Sequence, residues 1–219
     1  MKLNVPGRAA ILLPLLLAAC GSSHDNEPAA PAAAKVSVTE LAAGVYAVGS
    51  GDAAAPTAGK YYAAADGARL LLLNNSAQQA GTLYRRDAGS SAVWQMMPAP
   101  TQDTKLDLLN SNAIPSTVVN IASVARSYSV RLASGAAAAF AVNSSGDIVA
   151  GATSCKLSGK LTASSLPNAL KASLTASGCG DLPAQSEGYL VVDGDYSPAV
   201  FRLLTYSGNT LVDLWSYAE

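Results

Sequence analysis

Two consecutive stretches constrain this chain more than any others. In "CKLSGKLT" (155–162), Cys155, Leu157, Gly159 and Leu161 alternate with Lys156, Ser158, Lys160 and Thr162. In "ALKASLTAS" (169–177), Leu170, Ala172, Leu174 and Ala176 alternate with Lys171, Ser173, Thr175 and Ser177. A period of two is the signature of a strand with one buried face. The intervening Ser165-Leu166-Pro167-Asn168 then reads as the turn of a hairpin.

The same texture runs along the chain from Val36. Strands are predicted over 44–50, 59–65, 68–74, 81–87, 92–98 and 104–110, with Asp66-Gly67 read as a type I′ hairpin turn. A further strand is assigned to 117–123, where Pro115 could equally open a short helical turn. The second half continues with 126–133, 137–143, 147–153, 187–194, 199–206 and 210–217, separated by Ser-Gly, Asp-Gly and Gly-Asn turns. No 12-residue window sustains a helical period. The expectation is an all-β, antiparallel fold of short hairpin-connected strands. Its form is either two small barrel- or sandwich-like units, 36–122 and 123–219, or one β-barrel of about ten strands, since closure removes exposed edges.

The chain begins with a positive segment (Lys2, Arg8), an apolar run "AAILLPLLL" (9–17) and two alanines before Cys20. That run is too short to span a bilayer, which takes about 20 residues. It has the build of a secretory signal. Leu17-Ala18-Ala19-Cys20 resembles the bacterial lipobox, at which lipoprotein precursors are cleaved. The resemblance implies that residues 1–19 are removed, that the Cys20 thiol carries a diacylglycerol and that the new amino terminus is acylated. Two or more acyl chains anchor stably where one is marginal. Gly21 in place of Asp implies the outer membrane, on either face. Residues 20–35, polar and then rich in Pro and Ala, read as a tether.

The body also resembles a group of small proteobacterial lipoproteins. "AAAFAVNSSGDIVAGATSCKLSGKLT", the later "LTASGCG", "EGYLVVDG" and the early "GKYYAAADGARLLLLN" carry that likeness. It implies an all-β body and an envelope location. The group has no assigned activity, so the likeness implies no mechanism.

Without residues 1–19 the chain keeps 200 residues and a formal charge of −3, and its only basic cluster is Arg85-Arg86. Nucleic-acid binding therefore has no electrostatic support. Apart from Cys20, the cysteines are Cys155 and Cys179. In an exported chain these are expected to form one disulfide. Strict alternation would put Cys179 on the polar face, so either a bulge near Gly178 or the end of the strand must let it reach Cys155.

The single histidine, His24, sits in the tether, where a Ser-His-Asp triad cannot be assembled. Two cysteines are too few for a structural metal site, and no metal or cofactor is expected. No phosphate-binding glycine motif occurs. Asp193 and Asp195 in "VDGDYS" are the best local carboxylate pair, although Asp and Gly there are what a tight turn requires. The chain is accordingly not expected to be an enzyme. The weak candidates for partner contact are Tyr62, Tyr84, Trp94 and Arg85. The expected role is a lipid-anchored binding or interaction module for an unknown envelope protein or surface ligand. The alternative is a structural envelope component, with a carboxylate hydrolase a distant third.

Overall fold

A run such as "RLLLLN" (69–74) is apolar on both sides of its pleat, so it must lie in the middle of a layered structure. The computed structural model, which describes residues 33–89 and 91–219, places it there. It forms β4 (Arg69–Asn74) of a six-stranded antiparallel sheet. That sheet also contains β2 (Gly44–Asp52), β3 (Ala55–Ala63), β5 (Ala80–Arg86), β6 (Gln95–Met97) and β8 (Leu108–Ile114), in the order β6-β5-β4-β3-β2-β8. Two short strands, β1 (Val36–Val38) and β7 (Thr104–Leu106), pair in parallel beside it.

From Ser127 the chain builds a closed barrel of eight antiparallel strands, each paired with its sequence neighbour and the last with the first. They are β9 (Ser127–Arg131), β10 (Ala137–Val142), β11 (Asp147–Ala150), β12 (Lys156–Ala163), β13 (Ala169–Ser177), β14 (Gln185–Val191), β15 (Phe201–Ser207) and β16 (Thr210–Ala218). The expected all-β architecture is therefore present, as a barrel and a separate sheet. The barrel interior is filled by side chains such as Tyr128, Phe140, Leu157, Leu161, Leu190 and Phe201. The Tyr128 and Phe201 rings meet edge-on at 4.6 Å.

Alternation decides the layers. On the barrel side of the sheet, Tyr62, Leu70, Leu72 and Leu83 pack against Tyr189, Val191, Leu204 and Tyr206 on the outer wall of the barrel. On the far side, Tyr61, Leu71, Leu73 and Tyr84 pack with Val38 and Trp94. Sheet and barrel therefore share one apolar core, and residues 34–219 form one compact unit. Gly159 marks the tightest approach between neighbouring barrel strands, since a Cβ there would lie 1.9 Å from the Ser173 carbonyl oxygen.

Two local expectations need correcting. Residues 117–123 are not a strand: Ile121–Val124 form a 3₁₀ turn, capped by the Asn120 side chain accepting from the Ala122 N–H. That hydrogen bond gives the backbone an alternative to a ladder. The Asp66-Gly67 turn is not type I′, because Gly67 (φ 94) has a positive φ and Asp66 does not. The Gly67 N–H donates to the Ala64 carbonyl, leaving Gly67 as the bulge residue after the turn.

Cys155 and Cys179 are bonded, with Cα atoms 4.4 Å apart. Of the two expected routes, the strand end applies. The register closes at Lys156–Ser177, and Gly178 with φ 66 turns the chain so that Cys179 points back to the base of the hairpin.

Candidate binding surfaces on the barrel wall

The four residues singled out from the sequence do not converge. Tyr62 is fully buried between sheet and barrel, its hydroxyl 3.0 Å from that of Tyr196. Burial, with the neighbouring Tyr196, pushes its pKa well above the usual tyrosine value. Tyr84 is buried in the far-side core. Trp94 is 9% exposed and donates its indole N–H to Glu40 at 3.1 Å, with Arg86 over its ring. Only Arg85 lines an open surface.

That surface is a furrow of about 230 Å³ where β5 meets the outer wall of the barrel, lined by Arg85, Lys160, Lys171, Glu187, Tyr189 and Tyr206. Alternation on β12, β13 and β14 puts their polar residues here, so the furrow follows directly from the strand pattern. Most of its charges are already engaged. Lys160 pairs with Asp147 at 2.6 Å and Arg85 with Asp87 at 3.3 Å. The Tyr206 hydroxyl donates to Glu187 at 2.9 Å, and burial together with that carboxylate raises the Tyr206 pKa. An anion at Lys160 or Arg85 would have to displace these partners.

A larger and more apolar cleft, about 760 Å³, opens where β16 parts from β9. The two strands pair only over Ser216–Ala218 and Tyr128–Val130, so Thr210–Trp215 lack a β9 partner. The cleft is lined by Arg131, Leu132, Leu182, Leu211, Trp215 and Tyr217. Its volume lies in the range of small-molecule and side-chain pockets. Leu132 also belongs to the barrel core, with Leu182 packed against that core, so the cleft reaches the edge of the packed interior.

One wall of this cleft rests on a buried ion pair that sequence reasoning missed. Arg202 is 0% exposed. Its Nε donates to Asp213 at 3.1 Å, its Nη1 donates to Asn74 at 3.1 Å, and its guanidinium lies 4.5 Å from the Trp215 ring centroid. Asp213 also accepts from the Ala80 N–H at 2.8 Å, which ties the β4–β5 loop to the barrel. Burial alone would lower the Arg202 pKa, but the Asp213 carboxylate outweighs it and the pKa is raised. A signal was available: "AVFRLLTY" and "TLVDLWSY" each carry one charge in an apolar run, of opposite sign, on adjacent predicted strands.

The carboxylates of Asp193 and Asp195 do lie together, and both face one cation. Lys60 sits 3.0 Å from Asp193 and 2.7 Å from Asp195. Burial pulls the lysine pKa down, while hydrogen bonds and charge from both aspartates more than restore it, leaving it raised. Asp193 also caps the short 3₁₀ turn Gly194–Tyr196 by accepting from the Asp195 N–H. The pair is thus a turn and a clamp on β3 of the sheet.

Among the described residues, no group of three or more His, Cys, Asp and Glu side chains is placed to hold a metal ion. Cys20, the signal at residues 1–19 and His24 lie outside the described residues. Compared with protein-family models, curated proteins and solved structures, the chain matches none.

Proposed function

We propose that this protein is a lipid-anchored component of the bacterial cell envelope, held in the outer membrane through Cys20, and that its body is a non-enzymatic binding module. The anchor rests on the Leu17-Ala18-Ala19-Cys20 pattern after an apolar run. The binding role rests on one observation, the cleft between β16 and β9, where Trp215, Leu211 and Leu182 meet the charged rim residues Arg131 and Asp181. An apolar floor with a few polar groups at its edge is the usual make-up of a recognition pocket. The reading without an enzyme is supported by the engagement of Asp193 and Asp195 with Lys60 and of Asp213 with Arg202.

The filled barrel interior favours a second reading, a structural envelope component with no ligand site. One experiment separates the two. A photo-reactive residue at Leu211 is activated in intact cells, with one at the exposed Val149 of β11 as the control. A discrete adduct at Leu211 alone supports the binding module. No adduct, or the same adducts at both positions, supports the structural reading. The anchor is tested separately by Cys20→Ser, which should move the protein from the membrane fraction to the soluble one. A variant that still sediments with membranes rules out Cys20 as its sole anchor.

A further inference from the structure

The six-stranded sheet ends on one side in a long edge strand without charge or proline. Among the described residues, β8, "LLNSNAI" (108–114), pairs with β2 alone, and Leu109, Asn110, Ser111, Asn112 and Ala113 are exposed. Among the described residues, no backbone group of 109–114 hydrogen-bonds outside the β2 ladder. In an antiparallel pair, every second residue turns its N–H and C=O away from its partner. Natural edges avoid association with lysine, proline, inward charge, a bulge or brevity. This strand has seven residues with no lysine, proline or inward charge between Leu108 and Ile114; its one bulge lies at Leu109, and 110–114 run without a register shift.

Its sequence also reads the same in kind from either end. About Ser111, asparagine flanks on both sides (Asn110, Asn112), then apolar residues (Leu109, Ala113), then larger aliphatics (Leu108, Ile114). We infer that the partner of this edge is a second copy of the chain, with β8 pairing antiparallel to its own copy about a two-fold axis at Ser111. Directly opposite residues then share a face, so Asn110 meets Asn112 of the partner and their amides hydrogen-bond across the axis. The self-paired ladder is centred on 110–112, because the register shift against β2 between Asn110 and Leu108 turns Leu108 to the far-side core while Ile114 stays on the barrel side. No like charges come opposite each other.

The boundaries of the strand limit the assembly to two copies. The charged Asp107, ion-paired with Lys105, ends β8 on one side and Pro115 on the other. The opposite edge of the sheet, β6, has only three residues and is followed at once by Pro98, which cannot donate to a ladder. One open edge and one blocked edge give a closed isologous dimer rather than a fibre.

The test uses the full chain carrying Cys20→Ser, so that an added thiol is the only unpaired one. With Ser111→Cys, two thiols face each other across the axis, and a short thiol cross-linker should yield a covalent dimer. Val118→Cys, at another exposed site (Val118 is 91% exposed), should not. Light scattering of the chain with Ser111 intact should give twice the monomer mass. Ser111→Lys, which sets two ammonium groups opposite each other at an exposed position, should weaken association by up to about fivefold with unchanged circular dichroism. A monomer at every concentration overturns the proposal. So does a Ser111→Cys yield no higher than that of Val118→Cys, or a dimer undiminished by Ser111→Lys. A monomer whose Ser111→Cys thiol is shielded from reagent also overturns it, and assigns the edge to the chain's own N-terminal segment.

Discussion

Arg202 and Asp213 show how much a single pair of residues settles in this molecule. Both side chains are nearly inaccessible, at 1% and 5% exposure. Each is satisfied by the other, with Asn74 and the Ala80 N–H completing the network. Such pairs contribute little over an apolar replacement but leave a costly charge when one partner is removed. Arg202→Leu should therefore destabilise by about 3–5 kcal/mol in urea unfolding. Adding Asp213→Leu should restore most of that loss. A deficit of about 0.5–1.5 kcal/mol would persist, because the part-buried Ala80 N–H loses its acceptor. A double variant as unstable as the single one would mean that Arg202 acts by packing on Trp215 rather than by charge. The lone charge in each apolar run was legible, and its partner was not, because opposition across a hairpin depends on register.

At the scale of elements, local chemistry carried further. The hairpin β12–β13 follows its alternation, with Leu157, Leu161, Leu170, Ala172 and Leu174 buried toward the barrel core. Its disulfide closes the open end, at a sequence separation of 24. In the chain-entropy treatment a loop of that length contributes about 3.5 kcal/mol. Replacing both cysteines by alanine should lower stability by up to that amount while leaving the far-UV spectrum unchanged. A loss below about 1 kcal/mol would show that the β12–β13 ladder holds the hairpin unaided. Elements whose boundaries depend on distant partners were less legible. The stretch 104–110, expected as one strand, is two: β7 pairs with β1, and β8 with β2. Asp107 between them is disfavoured in strands, but only the tertiary partner shows that the pairing changes there.

For the whole molecule, the shared core between sheet and barrel predicts one cooperative unfolding transition and a common alkaline limit. Burial raises the pKa of seven tyrosines, namely Tyr61, Tyr62, Tyr84, Tyr128, Tyr189, Tyr196 and Tyr206, and Tyr61 reaches about 12. The protonated form is favoured in the folded state, so their contribution is complete below the unfolded value of about 10 and is lost as pH rises through the folded values. Lys60, also raised, acts in the same direction. The melting temperature should hold steady from pH 7 to about 10 and then fall, with phenolate absorbance rising in the same transition. Ionisation of Tyr62, Tyr189, Tyr196 and Tyr206 before that of Tyr128 would show that the interface opens independently of the barrel.

What the sequence determined by itself was the repertoire of strands and turns, the polarity of each strand face, and the pairing of Cys155 with Cys179. These depend on residues close together in the chain, or on one hairpin, where alternation and turn chemistry act directly. The tertiary structure alone decided that eight strands close on themselves and that a six-stranded sheet lies against their wall. It also decided that β16 parts from β9 to leave a cleft, and that Tyr62 faces the barrel while Tyr61 faces away. The physical reason is that an apolar strand face must be covered, but its pattern does not say by what: packing is non-directional, and the partner is set by register and closure across the whole chain.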